Sequence, residues 1–279
     1  MFLTRLLSGT ILIVIALVSC LIGSPVLPVL LLLVSLVGYR ELALALGVAP
    51  VQEGKKRFSA PEIVGYIGIT VYYLCLLVID ITAGWDVRIA LLASCIVGVF
   101  LAEMFVYVFT FPKFQPEQIG FSVFAFLYAP VMLSFIDFIR MREDGIILVW
   151  LVFICSWGCD TCAYCVGKLI GKRKIFPVLS PKKSLEGCIG GCLGAALIAV
   201  IFGWFTLTKD WKELCLIAGI CVLGALVSMV GDLAASAIKR NKGIKDYGKL
   251  IPGHGGIMDR FDSVIVTAPL VYFLLVFLL

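Results

Sequence analysis

The chain has 279 residues, 62% of them hydrophobic, at a mean hydropathy of +1.11, and carries only 23 basic and 18 acidic side chains. A soluble domain of this length needs charge over its whole surface, so the composition excludes an ordinary soluble globule. The net charge of +5 says less than its placement, because lysines and arginines near the ends of apolar spans decide orientation.

Apolar runs of about twenty residues, each long enough to cross ~30 Å of hydrocarbon, follow one another from Phe2 to Leu279. They predict spans at 4–22, 27–47, 61–80, 87–110, 120–140, 145–167, 187–207, 213–238 and 263–279, with proline, glycine or charge at most breaks. The expected architecture is an all-α polytopic membrane protein, a bundle of about nine transmembrane helices with a polar cavity facing the cytoplasm. Arg5, an apolar stretch and Leu17-Val18-Ser19-Cys20 imitate a lipoprotein cleavage site. Another span follows directly, so an uncleaved first helix is the simpler account.

Counted on alternate sides of these spans, seventeen Lys and Arg lie on one side: Arg5, Lys55, Lys56, Arg57, Lys113, six from Lys168 to Lys183 and six from Lys239 to Arg260. Five lie on the other, namely Arg88, Arg140, Arg142, Lys209 and Lys212, while Arg40 falls inside a span. The positive-inside rule therefore puts the N-terminus and both basic loops in the cytoplasm. Little chain remains for a soluble domain, so function is expected in or beside the bundle.

Segments 168–186 and 236–262 hold 46 residues and 16 of the charged side chains. A solvated basic loop pair accounts for the lysines and arginines. It does not account for Asp246, His254, Asp259 and Asp262, nor for Asp160 and Asp232 inside the apolar runs that enter the loops. Charge at membrane depth is costly and marks a functional site. Asp232, Ser236, Lys239 and Arg240 sit at i, i+4, i+7 and i+8, one helical face. Ser156, Asp160, Tyr164, Gly167 and Lys168 nearly repeat that rhythm. The packing alternative is a buried aspartate paired with Lys or Arg to fix helix contacts.

In 251–262, three glycines allow backbone to approach a ligand closely, and Asp259 and Asp262 lie one helical turn apart. Carboxylates without a His pair or thiolate set favour a hard cation, Mg²⁺, which commonly keeps water and phosphate oxygens among its ligands. Lys245, Lys249 and Arg260 are placed to neutralise phosphate. Metal plus basic side chains at a membrane surface points to phosphoryl or nucleotidyl transfer. The other loop, with Lys172, Arg173, Lys174, Ser180, Lys182, Lys183, Ser184 and Glu186, reads as phosphate binding or as attraction to anionic headgroups. Ser184 is also a candidate cap for the helix that follows.

Cys155, Cys159, Cys162 and Cys165 imitate an iron–sulfur or zinc set. Four ligands on one continuous helix cannot wrap a tetrahedral metal, so packing is the expected role. His254 is the only histidine, which excludes a two-His metal site within one chain. It is available as a general base, a donor to phosphate or a loop-ordering hydrogen bond, with the donor role preferred.

Ser236, Lys239, Arg240, Lys245, Asp246 and Gly248, followed by Leu250 to Asp262 with Pro252, Gly253, His254, Gly255, Gly256, Asp259 and Arg260, resemble the signature of the phosphatidate cytidylyltransferases, the CDP-diacylglycerol synthases. Asp160, Tyr164, Gly167, Lys168, Gly171, Lys172 and 180–187 resemble a second block of that family. Cys162 stands where the family pattern has a small residue such as glycine, and the N-terminal half matches only in hydropathy.

The resemblance implies a polytopic enzyme, a homodimer in a cell's inner (cytoplasmic) membrane, joining CTP and phosphatidate with Mg²⁺, together with a monovalent cation such as K⁺, and without nucleic acid. Residues 1–140 then supply N-terminal and middle helices, and 141–279 the catalytic region with its two basic loops. Asp232 and Asp259 carry over as metal ligands, with Lys239, Arg240, Arg260 and His254 beside them as catalytic residues. Substrate binding falls to Asp160, Tyr164, Lys168, Lys172, Ser180, Lys182, Lys183, Ser184, Glu186, Ser236, Lys245, Asp246, Gly255, Gly256 and Asp262. A CTP-dependent kinase of a lipid such as a polyprenol is the nearest enzymatic alternative, and a transporter with a polar intramembrane path is the alternative of a different class.

Overall fold

The computed structural model describes residues 2–48, 51–52, 55–56, 58–82, 85–251, 253 and 255–279, with no side-chain description for 2–7, 51–56, 79–86 and 88. In chain order the elements are α1 (Phe2–Ile22), α2 (Val26–Leu46), a two-residue antiparallel pair β1 (Val51–Gln52) and β2 (Lys55–Lys56), α3 (Ala60–Thr82), α4 (Trp85–Phe109), α5 (Pro116–Phe126), α6 (Phe135–Arg140), α7 (Gly145–Phe153), α8 (Cys159–Ile170), α9 (Leu185–Thr206), α10 (Trp211–Asn241) and α11 (Met258–Leu278). Eight helical stretches among the described residues are long and apolar enough to cross a membrane, and α1 adds a shorter apolar run, Ser8–Ile22. The fold is all-α and polytopic.

Two predicted spans each comprise two helices joined through a wide π turn. Leu127–Val131 links α5 toward α6 and contains Pro130, which lacks the N–H that an α-turn needs. Ile154–Gly158 joins α7 to α8, shifting the side-chain register ahead of Asp160. The last predicted span, 263–279, begins five residues earlier than expected, at Met258. Its extra turn carries Asp259 and Asp262 on helix rather than in loop, because carboxylates satisfy the backbone N–H groups at its start.

The chain forms two compact units. The first comprises residues 1–134 and 244–260, the second 135–243 and 261–279. In the first unit, polar side chains at membrane depth find one another, as hydrocarbon requires. Tyr39 Oη and Ser122 Oγ share a 2.8 Å hydrogen bond, Ser122 donates to Glu103 Oε1 at 2.6 Å, Tyr73 donates to the Pro130 carbonyl at 2.9 Å, and Arg40 pairs with Glu62. Arg40 also lies 4.2 Å from the Phe58 ring centre.

The second unit is built on close contact between α8, α9 and α10. Glycines of α9 let α8 approach: a Cβ on Gly191 would stand 2.9 Å from Ala163 Cβ and 3.0 Å from Cys159 Sγ, and one on Gly194 would collide with Cys162. Gly224 of α10 does the same for Cys155. Cys155, Cys159 and Cys162 therefore face three different glycines, while Cys165 is exposed. Gly191→Val is expected to cost about 1–3 kcal/mol by overpacking, read as a lowered thermal unfolding temperature of the purified protein in detergent. Cys165→Ala is expected to leave that temperature, and metal content by atomic absorption, unchanged.

Candidate active site

The polar residues singled out in the sequence lie on four helices and two loops. Asp160, Tyr164 and Lys168 are on α8; Lys172, Ser180, Lys182, Lys183 and Ser184 are in the loop after it; Glu186 is in the first turn of α9; Asp232, Ser236, Lys239 and Arg240 are on α10; Asp259, Arg260 and Asp262 are on α11. Lys245, Asp246, Gly255 and Gly256 lie in the loop between α10 and α11. His254 and Pro252 lie outside the described residues.

The loop after α8 is held by its own side chains. Ser184 caps α9, accepting the Gly187 N–H at 3.2 Å, as its position before an apolar run predicted. The Glu186 carboxylate accepts the backbone N–H groups of Lys172 at 3.0 Å and Arg173 at 3.2 Å. Ser180 contributes backbone: its carbonyl accepts the Lys183 N–H at 3.1 Å. Gly171 and Gly167 are needed beside Ser184, since a Cβ on Gly167 would lie 3.2 Å from its Oγ. Tyr164, Lys168, Lys172 and Lys182 present exposed side chains.

Lys183 points inward from this loop. Its Nζ lies 2.6 Å from Asp232 Oδ2, with the two side chains 20% and 30% exposed. Asp232 is thus paired with a basic residue, one that comes from a loop rather than from a facing helix. Asp232 sits one residue after Gly231, where a Cβ would collide with Val266 and lie 2.9 Å from the Asp262 carbonyl. That glycine seats α10 against α11. Asp262, buried, then lies within electrostatic reach of Asp232, Lys239 and Asp160. Asp262 thus has Asp232, Asp160 and Lys239 as charged neighbours, while Lys183 pairs with Asp232; Ser236 is half-buried on the same face of α10 and Arg240 exposed at its end.

In the first unit, carboxylates organise the loop that precedes α11. Asp259 Oδ2 accepts the N–H groups of Tyr247 at 2.8 Å and Gly256 at 2.9 Å. Gly255, at φ +89, lies against the same oxygen, which a Cβ would approach to 2.9 Å. The sequence reading overlooked Glu41. This buried residue of α2 accepts the N–H of Ile257 at 3.2 Å on Oε1 and of Met258 at 2.9 Å on Oε2. A side chain on Gly248 or Gly256 would collide with that carboxylate, which explains two of the loop's glycines.

A helix N-terminus ordinarily attracts an anionic ligand. At α11 an internal carboxylate, that of Glu41, already fills that role. The signal that could have found Glu41 is the charged pair Arg40-Glu41 within an otherwise apolar span. Lys245, Asp246 and Arg260 are exposed.

A family model described as the cytidylyltransferase family matches residues 3–278. A phosphatidate cytidylyltransferase of Synechocystis sp. is 42% identical over 135 residues, 48% of this chain and 45% of its own length, so the matched stretch spans less than half of that relative. One from Staphylococcus aureus is 32% identical over 222 residues, 79% of this chain and 81% of its own length. A third, from Staphylococcus haemolyticus, is 35% identical over 165 residues, covering 59% of this chain and 62% of that protein.

Glu41→Gln keeps the volume but turns one of the two acceptors into a donor facing a backbone N–H, at a cost of about 1–3 kcal/mol for a buried unsatisfied group. The expected result is faster tryptic cleavage after the exposed Lys245 and Lys249, with Glu41→Ala at least as fast. Unchanged cleavage would show that the loop holds without this carboxylate.

Proposed function

The chain belongs to the cytidylyltransferase family, and on that footing we propose that it transfers the cytidylyl group of CTP to phosphatidate, giving CDP-diacylglycerol and pyrophosphate. The observation that carries this reading is the family match over residues 3–278, which takes in both polar segments and the spans that deliver them. The relatives from Staphylococcus aureus and Synechocystis sp. named for this activity support it. The proposal includes a homodimer in the cytoplasmic membrane, with the site opening to the cytoplasm, the side to which the seventeen basic residues assign both loops.

The chemistry suits such a site. A phosphate monoester is largely dianionic at neutral pH and already a nucleophile, so no strong general base is needed. One phosphatidate oxygen bonds to the α-phosphorus of CTP as the bond from that phosphorus to the bridging oxygen breaks, and pyrophosphate leaves with the electron pair. Lys239, Arg240 and Arg260 meet phosphate oxygens and offset the charge that moves onto the leaving group. Lys168 in the last turn of α8 and the loop residues Lys172, Lys182 and Lys183 draw the triphosphate in. The diacylglycerol tails stay in lipid while the headgroup reaches the polar stripes, and catalysis is positioning plus electrostatics.

The residues fit Mg²⁺ by chemistry. The donors at Asp232 and Asp259 are hard oxygens, and the Asp232 carboxylate already accommodates a cation, the Lys183 ammonium. Among the described residues no three His, Cys, Asp or Glu side chains converge as a ready metal cluster, so water and substrate phosphates complete the proposed ligand set. When bound, Mg²⁺ with K⁺ alongside neutralises charge on the triphosphate and on pyrophosphate.

CTP labelled at the α or the γ phosphorus separates the enzymatic readings. Purified protein with phosphatidate is expected to move α label, and no γ label, into lipid; γ label in lipid would mean a kinase, and neither label would favour transport. Asp232→Asn and Asp259→Asn are each expected to lower turnover by orders of magnitude in folded protein, whereas near-normal rates at saturating Mg²⁺ would remove them from the site. Gln at Lys239, Arg240 or Arg260 is expected to cost roughly 2–4 kcal/mol of transition-state stabilisation. Gln at Lys55, Lys56 or Arg57 is expected to cost under about tenfold in rate, about 1.4 kcal/mol, and equal losses in both groups would mark the charges as a diffuse attractor of anionic lipid.

A further inference from the structure

Lys183 is placed with unusual firmness for a loop lysine. Its backbone N–H donates to the Ser180 carbonyl at 3.1 Å, its carbonyl accepts the Ile175 N–H at 3.4 Å, and the next residue is the cap of α9. The strand-like contact between Lys174 and Ser184 closes the loop on itself, and the Leu185 N–H reaches the Arg173 carbonyl at 2.9 Å. What remains movable is the side chain. It turns in toward α10, and its ammonium nitrogen is shielded from solvent.

An ammonium has three protons to donate. Lys183 Nζ has its ion pair with Asp232 Oδ2, and beyond it no hydrogen-bonding partner among the described residues. A cation so shielded and so thinly partnered is costly. The cost is carried because the surroundings are acidic: Asp232 and Asp160 lie within electrostatic reach of Asp262, which Lys239 also faces. Removing Lys183 would leave Asp232 without its ion-pair partner. The two idle N–H positions would suit phosphate oxygens.

We propose that Lys183 is the resident counter-cation of Asp232, competing with a divalent ion for that carboxylate and passing to substrate phosphate when the ion arrives. One ion pair is exchanged for two, Asp232 with the divalent ion and Lys183 with phosphate, and no proton leaves the lysine. The exchange makes loading cooperative. A divalent ion alone has to break the ion pair of Lys183 with Asp232, whereas with phosphate present the displaced ammonium gains a new anionic partner. By linkage, the ion must favour phosphate binding to the same extent. The inference rests on the proposed role of Asp232 as a metal ligand.

The test uses Mn²⁺ alone, titrated into the purified full-length protein in detergent and followed by electron paramagnetic resonance, with no nucleotide or lipid substrate. Lys183→Met removes the charge and keeps most of the stem, so it is expected to tighten Mn²⁺ binding by about 5- to 150-fold, the ordinary range of a coupling between sites. Lys183→Gln serves as a second neutral variant where the first fails to fold. Lys183→Arg, which keeps the cation, is expected to bind no more tightly than the unsubstituted protein. Asp232→Asn in the Lys183→Met background is expected to abolish the gain. Neutral variants that bind Mn²⁺ no better, undetectable binding included, would overturn the exchange and leave the proposed activity standing if α label still reaches lipid. A gain that survives Asp232→Asn would overturn it differently, by removing Asp232 from the metal site.

Discussion

Inside hydrocarbon a backbone N–H or a carboxylate has only the protein to turn to, and the polar half of this structure follows from that constraint. Glu41 stands in an apolar helix, and the start of α11 needs acceptors for the N–H groups that its first turn leaves over. Each satisfies the other, at 3.2 and 2.9 Å. Asp259 repeats the solution on the Tyr247 and Gly256 N–H groups. Two carboxylates thus tie a long polar loop to the helix that follows it, and glycines at 248, 255 and 256 leave them room.

The acidic residues divide by partner. Glu41, Asp259 and Glu186 hold backbone, whereas Asp232 holds a lysine, with Asp160 and Asp262 in electrostatic reach around it. A carboxylate bound to backbone gains by staying where it is. One bound to a side-chain cation can exchange that cation for another without disturbing the fold. This difference agrees with placing the proposed ion exchange at Asp232, while Asp259, held by its backbone contacts, is the stationary one of the two proposed metal ligands.

Such an exchange also suits the proposed reaction. Two highly anionic phosphates have to be brought together at a membrane surface, and the repulsion between them is the principal obstacle. Lysines fixed by loop geometry, as Lys183 is, reduce that repulsion without ordering a flexible segment at the moment of binding. Loop backbone held by Ser184 and Glu186 limits the motion to one side chain.

The helices and the acid-bearing segments were legible in the sequence, for reasons that are local. Spans follow from runs of apolar residues, the α9 cap from Ser184 ahead of such a run, and Asp160 and Asp232 stood out as charges at membrane depth. The family resemblance rested on fixed polar spacings between Ser236 and Asp262. What was not legible depends on distant contacts. The pairing of Lys183 with Asp232 joins residues far apart in the chain, and Glu41 has its role only because the loop before α11 folds onto it. The start of α11 at Met258 was missed for the same reason: helix propensity is weak there, and carboxylates supplied by tertiary structure decide where the helix begins. Sequence alone determined the membrane-spanning architecture and the chemical character of the site, because both depend on residue type and short-range spacing. Only the tertiary structure decided which carboxylates hold backbone and which holds a cation, because that choice depends on which donors the packing brings within reach.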